Sequence, residues 1–354
     1  MRIRLAFVSA ALLAFGAAAP AGAQSIAEAR RAGQQAYRRA MAEARELYQG
    51  RRGPEQSDTF SHKYRIGRDG RVSIQNVAGQ ITVTAGAGDE VSIDAVKRTR
   101  GDRAELSRVE VVAEEHAGRV DVRTEYRRPG FPDRLFRDDY VSVDYTVVVP
   151  EGASVELRSV SGNVRVTGVK GAVRAQSISG NVVTSNTPRV EYAKTVSGDI
   201  DLAGVSMDSD ASAQSISGNV RANGLKARAL DLSTVSGDVL LRDTSCERLN
   251  VRSISGAIEY GGSLARNGRY EVNSHSGSVR FTLTPGTGFE LSATSFSGSV
   301  RSEFPLTVGG TNSNGVVQRR GRGPRGGAMQ ATFGDGSASL SVRTFSGDIS
   351  ILRK

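Results

Sequence analysis

A six-residue motif that recurs nine times from Ser159 onward constrains the fold more than any other feature of this chain. Each copy has Ser or Thr, then an apolar or aromatic residue, then Ser and Gly, then a small residue, and ends on Val or Ile. Successive motif glycines are 18 to 21 residues apart, except for a last step of 49 residues. They are Gly162, Gly180, Gly198, Gly218, Gly237, Gly256, Gly277, Gly298 and Gly347. Self-similarity at such a period is typical of stacked repeats.

Each repeat is too short for two helices and a turn, whereas alternating Val, Ile, Ser and Thr suit short strands. In the unit 171–188, Val173 and Ala175 alternate with polar residues, and the motif then leads into a second short strand. We therefore predict an all-β solenoid with coils of roughly 19–21 residues. The coils would pair in parallel and bury columns of Val and Ile.

Three motif positions carry specific expectations. Glycine is expected where a positive φ or a close neighbouring coil excludes a Cβ, and the serine before it can bond a local backbone group. Asp199, Asp238 and Asp348 follow the glycine and never in consecutive copies, which either avoids stacked carboxylates or is accidental. The second motif residue forms either an inner core ladder or an exposed apolar stripe: Val160, Ile178, Val196, Ile216, Val235, Ile254, His275, Phe296 and Phe345.

The sequence upstream of the motif also predicts β-structure. A weaker copy runs from Asn76 to Ile81, and period-two alternation predicts strands. These are at 62–66, 71–75, 80–84, 91–96, 109–113, 119–124 and 140–149. We predict a β-region at 57–150 that leads into the repeat solenoid at 151–354, with an exposed loop at 127–139.

The N-terminus has the features of a secretion signal over residues 1–23: Arg2 and Arg4, an apolar run, and a small-residue end at Ala21–Ala23. The spacing of apolar residues in 24–56 predicts one short amphipathic helix followed by a linker. Its Arg-rich face is either solvated or in contact with an anionic membrane. No later run is long enough to span a bilayer, so we expect an exported chain without a transmembrane segment, in the periplasm or at the cell surface.

The net charge of the chain indicates which classes of partner it can bind. The formal net charge of +10 favours anionic neighbours, which outside the cytoplasm are envelope polymers or lipid surfaces rather than nucleic acid; another envelope protein is also a possible partner. The single cysteine, Cys246, cannot form an intramolecular disulfide, and we interpret it as a small buried filler rather than a reactive thiol. The sequence indicates no cofactor and no metal.

The 49-residue step contains an insertion at 304–334 that is rich in Arg and Gly. We predict that it protrudes and is either simply solvated or in contact with an anionic polymer. The candidate contact residues are Arg319, Arg320, Arg322 and Arg325.

No catalytic residue is predicted, although solenoids can carry polysaccharide lyases or hydrolases that need convergent carboxylates. The acidic pairs Asp208/Asp210 and Asp138/Asp139 are interpreted as turn residues rather than calcium ligands. His275 is interpreted as a structural residue, and it has no histidine partner at a related motif position.

The repeat of the form Ser/Thr-x-Ser-Gly-Asp/Asn-Val/Ile resembles a bacterial domain-of-unknown-function family named "putative adhesin". The segments 141–150, 304–306 and 334–349 are also similar to that family, so the likeness covers roughly residue 57 to the end. The resemblance implies a right-handed parallel β-helix in the cell envelope, with no catalytic residues to carry over. We thus expect a non-enzymatic structural or adhesive module, with a polysaccharide-active enzyme as the alternative.

Overall fold

The computed structural model describes residues 54–127, 141–308, 311–313 and 327–354. The described residues of 57–99 and 103–354 form one all-β unit with one short 3-10 helix, Arg103–Arg108. Its first strands are β1 (Gln56–Arg65), β2 (Arg71–Ala78), β3 (Ile81–Gly86), β4 (Glu90–Thr99), β5 (Val109–His116), β6 (Arg119–Tyr126) and β7 (Ser142–Pro150). All seven strands predicted upstream of the motif are therefore present.

The remaining strands carry the repeats. They are β8 (Ser154–Ser161), β9 (Val164–Thr167), β10 (Val173–Ser179), β11 (Val182–Ser185), β12 (Val190–Ser197), β13 (Ile200–Ala203), β14 (Asp210–Ser217), β15 (Val220–Asn223), β16 (Lys226–Ser236), β17 (Val239–Ser255), β18 (Ile258–Ser276), β19 (Val279–Leu283), β20 (Phe289–Ser297), β21 (Val300–Ser302), β22 (Leu306–Val308), β23 (Thr311–Ser313), β24 (Gly327–Phe333), β25 (Ala338–Ser346) and β26 (Ile349–Arg353).

Each motif is a corner between two strands of one coil. The strand entering the corner pairs in parallel with the entering strands of neighbouring coils, so Ala175 lies between Leu157 and Ala193. The strand leaving the corner does the same, so Thr184 lies between Val166 and Leu202. We call these the entry stack and the exit stack. The weaker upstream copy belongs to the same stacks, because β2 pairs with β8 and β3 pairs with β9.

The last two coils are stacked in the reverse of their sequence order. β18 pairs with β25, and β25 in turn pairs with β20, so the coil at 338–353 lies between the coil at 269–283 and the coil at 289–302. The exit stack agrees, since Ile349 is in register with Val279 on one side and Val300 on the other. The long motif step is therefore a return of the chain into the stack.

Antiparallel strands lie at both ends of the stacks. At one end β4 pairs with β7 and β5 pairs with β6. At the other end β24, from the insertion, pairs with β20, and Phe304 and Leu306 are buried beside it. Such ends cover strand edges that would otherwise be free to pair with other chains.

The core lies between the two stacks and is filled by alternate residues of each strand. Of the fully buried aromatic rings, Tyr260, Tyr270 and Phe281 lie together on β18 and β19, and Tyr145 and Phe289 lie on β7 and β20. The Tyr270 hydroxyl donates to the carbonyl oxygen of Cys246 at 2.5 Å and accepts from the N–H of Ala265 at 2.7 Å. Burial raises the pKa of the Cys246 thiol to about 12, which agrees with its interpretation as a core filler.

The signal segment, the amphipathic helix and the Arg-rich part of the insertion lie outside the described residues, as does the loop beyond Arg127. Across the residues that are described, no helix is both long and apolar enough to cross a membrane.

Candidate binding surface at the coil corner

The motif glycines form one column in which adjacent coils touch through their backbones. The Gly162 N–H donates to the carbonyl oxygen of Ser179 at 2.9 Å, and the same bond recurs from coil to coil. A Cβ built on Gly218 would overlap the carbonyl oxygen of Gly198. The structure thus brings the predicted corner residues together, and close approach of the coils is the reason they lack side chains.

The first motif residue is buried, and in most copies its hydroxyl bonds to the neighbouring coil. Ser177 and Thr195 donate their hydroxyl protons to the carbonyl oxygens of Gly162 and Gly180, each at 3.0 Å. Ser295 bonds in the same way to Gly347, at 2.9 Å. The sequence predicted a local bond from the other motif serine, whereas the described bonds come from this position and tie six corners to the coil beside them. The hydroxyls of Ser159, Ser253 and Ser274 are buried without a partner among the described residues.

The residue after the glycine forms a second ladder. The side-chain oxygen of Asn163 accepts the backbone N–H of Asn181, and that of Asn181 accepts the N–H of Asp199, both at 2.9 Å. Asp348 accepts the N–H of Ser299 at 2.8 Å. Asn and Asp are interchangeable here because either supplies the acceptor oxygen. This role explains the mixture of amides and acids that the sequence left open.

Two ladder carboxylates have perturbed acidity. Burial raises the pKa of Asp199, but the N–H of Asn219 and the guanidinium of Arg221 outweigh it, so the pKa is below the usual 3.8. The pKa of Asp348 is lowered by the backbone N–H of Ser299 and then by its hydroxyl. Both acids are therefore ionised at neutral pH and engaged with the neighbouring coil.

The second motif residue points outward, which decides between the two expectations for this position. Eight of these side chains, with Val77 of the weak copy among them, are 41–54% exposed. Of the nine large apolar residues exposed in the described part of the chain, only Val148 lies elsewhere. In spatial order the corner stripe is Val77, Val160, Ile178, Val196, Ile216, Val235, Ile254, His275, Phe345 and Phe296.

One end of the corner stripe is aromatic. The rings of His275 and Phe345 stack with centroids 5.0 Å apart and planes 7° apart. Phe345 stacks equally on Phe296, at 4.8 Å and 8°. The return of the chain creates this arrangement, because Phe345 comes last in sequence but lies between the other two rings. The His275 ring is thus part of a stacked row of three rings.

A column of outward residues runs beside the corner stripe on the entry stack, two residues before each stripe position. It contains four basic residues and no acid. Its members are Gln75, Arg158, Gln176, Lys194, Gln214, Ser233, Arg252, Asn273, Arg343 and Thr294. We call it the flanking column. Arg158 is paired with Glu156 at 2.6 Å, so the unopposed charge resides on the other three basic residues.

An open groove of 420 Å³ lies where the stripe and the flanking column meet the first coils. Its apolar side is Val77, Val160, Ile178 and Val196. Its basic side is Arg123, Arg158 and Lys194, of which Arg123 is neutralised by Glu114 and Glu125. The groove therefore combines half-exposed aliphatic side chains with a nearby ammonium group.

The acidic and histidine side chains do not come together in a catalytic or metal-binding site within the described residues. Asp210 is paired with Arg228 at 2.8 Å, and the His116 ring lies 3.9 Å from Asp121. In the described residues no group of three His, Cys, Asp or Glu could hold a metal ion. Arg319, Arg320, Arg322 and Arg325 lie outside the described residues, as do Asp138 and Asp139, so the structure places none of them.

These features define a stacked-coil β-protein whose repeat presents one apolar line to solvent. Residues 71–352 match the family model described as Toastrack DUF4097, and the chain belongs to this family, which confirms the resemblance drawn from the motif. None of the curated proteins matches the chain.

Similar solved structures come from several bacteria. One is named a putative adhesin, from Bacteroides fragilis, with 9% identity and a TM-score of 0.40 over 83% of this chain and 97% of that one. Another is a putative lipid binding protein from Parabacteroides distasonis, with 10% identity, a TM-score of 0.45 and the same coverage. A putative cell adhesion protein from Clostridium sporogenes has 10% identity and a TM-score of 0.20, over 84% and 100%.

Proposed function

We propose that this protein is an exported, non-enzymatic binding module of a bacterial cell envelope, built from right-handed coils of 19–21 residues. The corner stripe is the observation that carries the proposal. Soluble chains seldom expose contiguous apolar side chains, and those that do generally use them to bind a partner. Here the stacking of the coils holds nearly all of the exposed large apolar side chains in one row.

Export is supported by the signal-like residues 1–23, and binding to the envelope is supported by the positive net charge of the chain.

The two hydrogen-bond ladders beside the stripe support a scaffold rather than a reactive site. Most of their hydroxyl, amide and carboxylate groups are occupied in bonds between coils, as for Thr195 and Asn181. Cleavage of a polysaccharide is the alternative activity.

The test compares retention of the full chain in the envelope fraction of a bacterial host with that of two variants. The stripe variant carries Ile178→Thr, Ile216→Thr and Ile254→Thr, which keeps β-branching while making the stripe polar. The control variant carries Val148→Thr, Val183→Thr and Leu240→Thr, at outward positions away from the stripe. We expect the control to be retained like the wild type and the stripe variant to be lost to the soluble fraction.

Equal retention of the stripe variant, with unchanged circular dichroism, would reject a binding role for this surface. Incubating the purified chain with acidic and neutral polysaccharides tests the alternative. We expect no new reducing ends or unsaturated products, and their appearance would replace the binding module with an enzyme.

A further inference from the structure

The corner stripe is a line rather than a pocket. Ten stripe positions at the ~4.8 Å spacing of paired strands extend over roughly 43 Å. A small ligand needs only the few coils that line the groove. A partner that uses the whole line must be extended or flat, and it must contact many equivalent aliphatic side chains without needing specific hydrogen bonds.

The charges beside the stripe indicate the charge that such a partner carries. Within the described residues, Lys194, Arg252 and Arg343 have no ion pair, and no carboxylate interrupts the flanking column. On the other side of the stripe, Asp199, Asp238 and Asp348 each accept an N–H of the adjacent coil, and Asp199 is also paired with Arg221. The charge on the flanking-column side of the apolar line is thus positive, which complements an anionic partner.

We propose that the partner is an anionic lipid surface, an inference that rests on the proposed function and specifies its target. The stripe side chains enter the boundary between headgroups and acyl chains, and the flanking column contacts lipid phosphates. Apolar residues with adjacent Lys and Arg are the combination by which proteins bind such an interface. Phe345 and Phe296 provide rings at one end of the line.

Co-sedimentation of the full chain with lipid vesicles tests this inference. One set of vesicles contains phosphatidylcholine alone, and the other contains equal parts of phosphatidylcholine and phosphatidylglycerol. The stripe variant and its control are those described above. The column variant carries Lys194→Gln, Arg252→Gln and Arg343→Gln. Its control carries Lys226→Gln, Arg248→Gln and Arg269→Gln, at exposed positions that lie outside the flanking column.

We expect the wild type and both controls to bind the mixed vesicles more tightly than the neutral ones. The stripe variant should bind the mixed vesicles about tenfold more weakly, because less apolar surface leaves water. The column variant should lose the preference for anionic vesicles and the weakening of binding by salt. Any contribution of the N-terminal residues is common to all five proteins.

Equal vesicle binding by the wild type and the stripe variant would overturn the inference. So would a dimer, measured by light scattering without lipid, that the stripe substitutions dissociate while vesicles are not bound; the occupant would then be a second copy. If vesicle binding fails while envelope retention still depends on the stripe, the lipid partner is wrong and the binding module stands.

Discussion

Single residues at the corner are fixed by the coil beside them. The carbonyl oxygen of Gly198 occupies the space that a side chain on Gly218 would need. Ser212, six residues earlier on β14, points outward and lies in register between Tyr192 and Asp231. The two positions are close in sequence, yet only one has a backbone atom in the path of a Cβ.

We therefore expect Gly218→Val to destabilise the fold by about 3 kcal/mol or more, since backbone on both sides prevents relief of the overlap. Ser212→Val should change stability by less than about 0.5 kcal/mol, because outward positions of a strand accept Val. Urea unfolding of the two variants measures the difference. Equal midpoints would show that the corner can open to admit a side chain.

Asp348→Asn separates the acceptor role of the ladder from its charge. The native pKa of Asp348 lies below 3.8, so its ionised form contributes stability above the unfolded pKa, and that contribution is lost as pH falls through the native pKa. Asn keeps the acceptor oxygen, as Asn163 does. We expect Asp348→Asn to have lower thermal stability than the wild type at pH 7, where the ionised carboxylate contributes, and a smaller decrease on acidification below about pH 4, so that the two chains become alike in acid. A decrease as large as that of the wild type would contradict the role of the charge.

At the scale of strands and loops, one period-two pattern produces two different surfaces. Strands β10 and β11 present Val173 and Val182 to the core, while the glycine between them allows Ile178 to face solvent. The alternation of residues could not predict that the Ile178 side chain faces solvent. The same motif sequence is compatible with one continuous strand and with two strands that meet at a bend at the glycine. The hydrogen bond of the first motif residue could not be predicted either, because its acceptor lies in a neighbouring coil.

The arginine loop remains a prediction at this scale. Arg319, Arg320, Arg322 and Arg325 lie among glycines, and four guanidinium groups cannot be buried without partners. If the chain binds acidic polysaccharide, we expect the four-alanine variant to be retained less well than the wild type on an acidic polysaccharide column at low salt. The difference should shrink as salt rises, because exposed charges are screened over about 8 Å at physiological ionic strength. Unchanged retention would assign the loop to solvation alone.

For the molecule as a whole, the repeat predicted the β-coils and the corner column, and the strand pattern predicted β1 to β7. The order of the last two coils could not be predicted. Each copy of the motif presents the same glycine carbonyl and N–H to its neighbour, so the sequence does not specify which copy stacks on which. The structure resolves this by placing Gly347 between Gly277 and Gly298.

Deleting residues 335–354 removes the coil that separates β18 from β20. We expect the amides of 289–302 to lose protection from hydrogen exchange, because both parallel neighbours of that coil are supplied by β25 and β26. Amides of β10 should stay protected, since each coil contacts only its neighbours. A chain shortened by residues 352–354 alone is the control. Full protection of 289–302 in the longer deletion would mean that this coil can dock directly on the coil at 269–283.

The returning coil also imposes an order of assembly during synthesis, which delivers the N-terminus first. The strands at 289–302 emerge before the segment that must separate them from β18, so for a time two matching corners of one chain stand next to a vacant position. Any corner with the same register can fill it, including the final coil of another molecule. Crowded chains at this stage are therefore prone to exchange their last coils, because β24 covers the opposite edge of β20 and leaves this position open until residues 338–353 arrive.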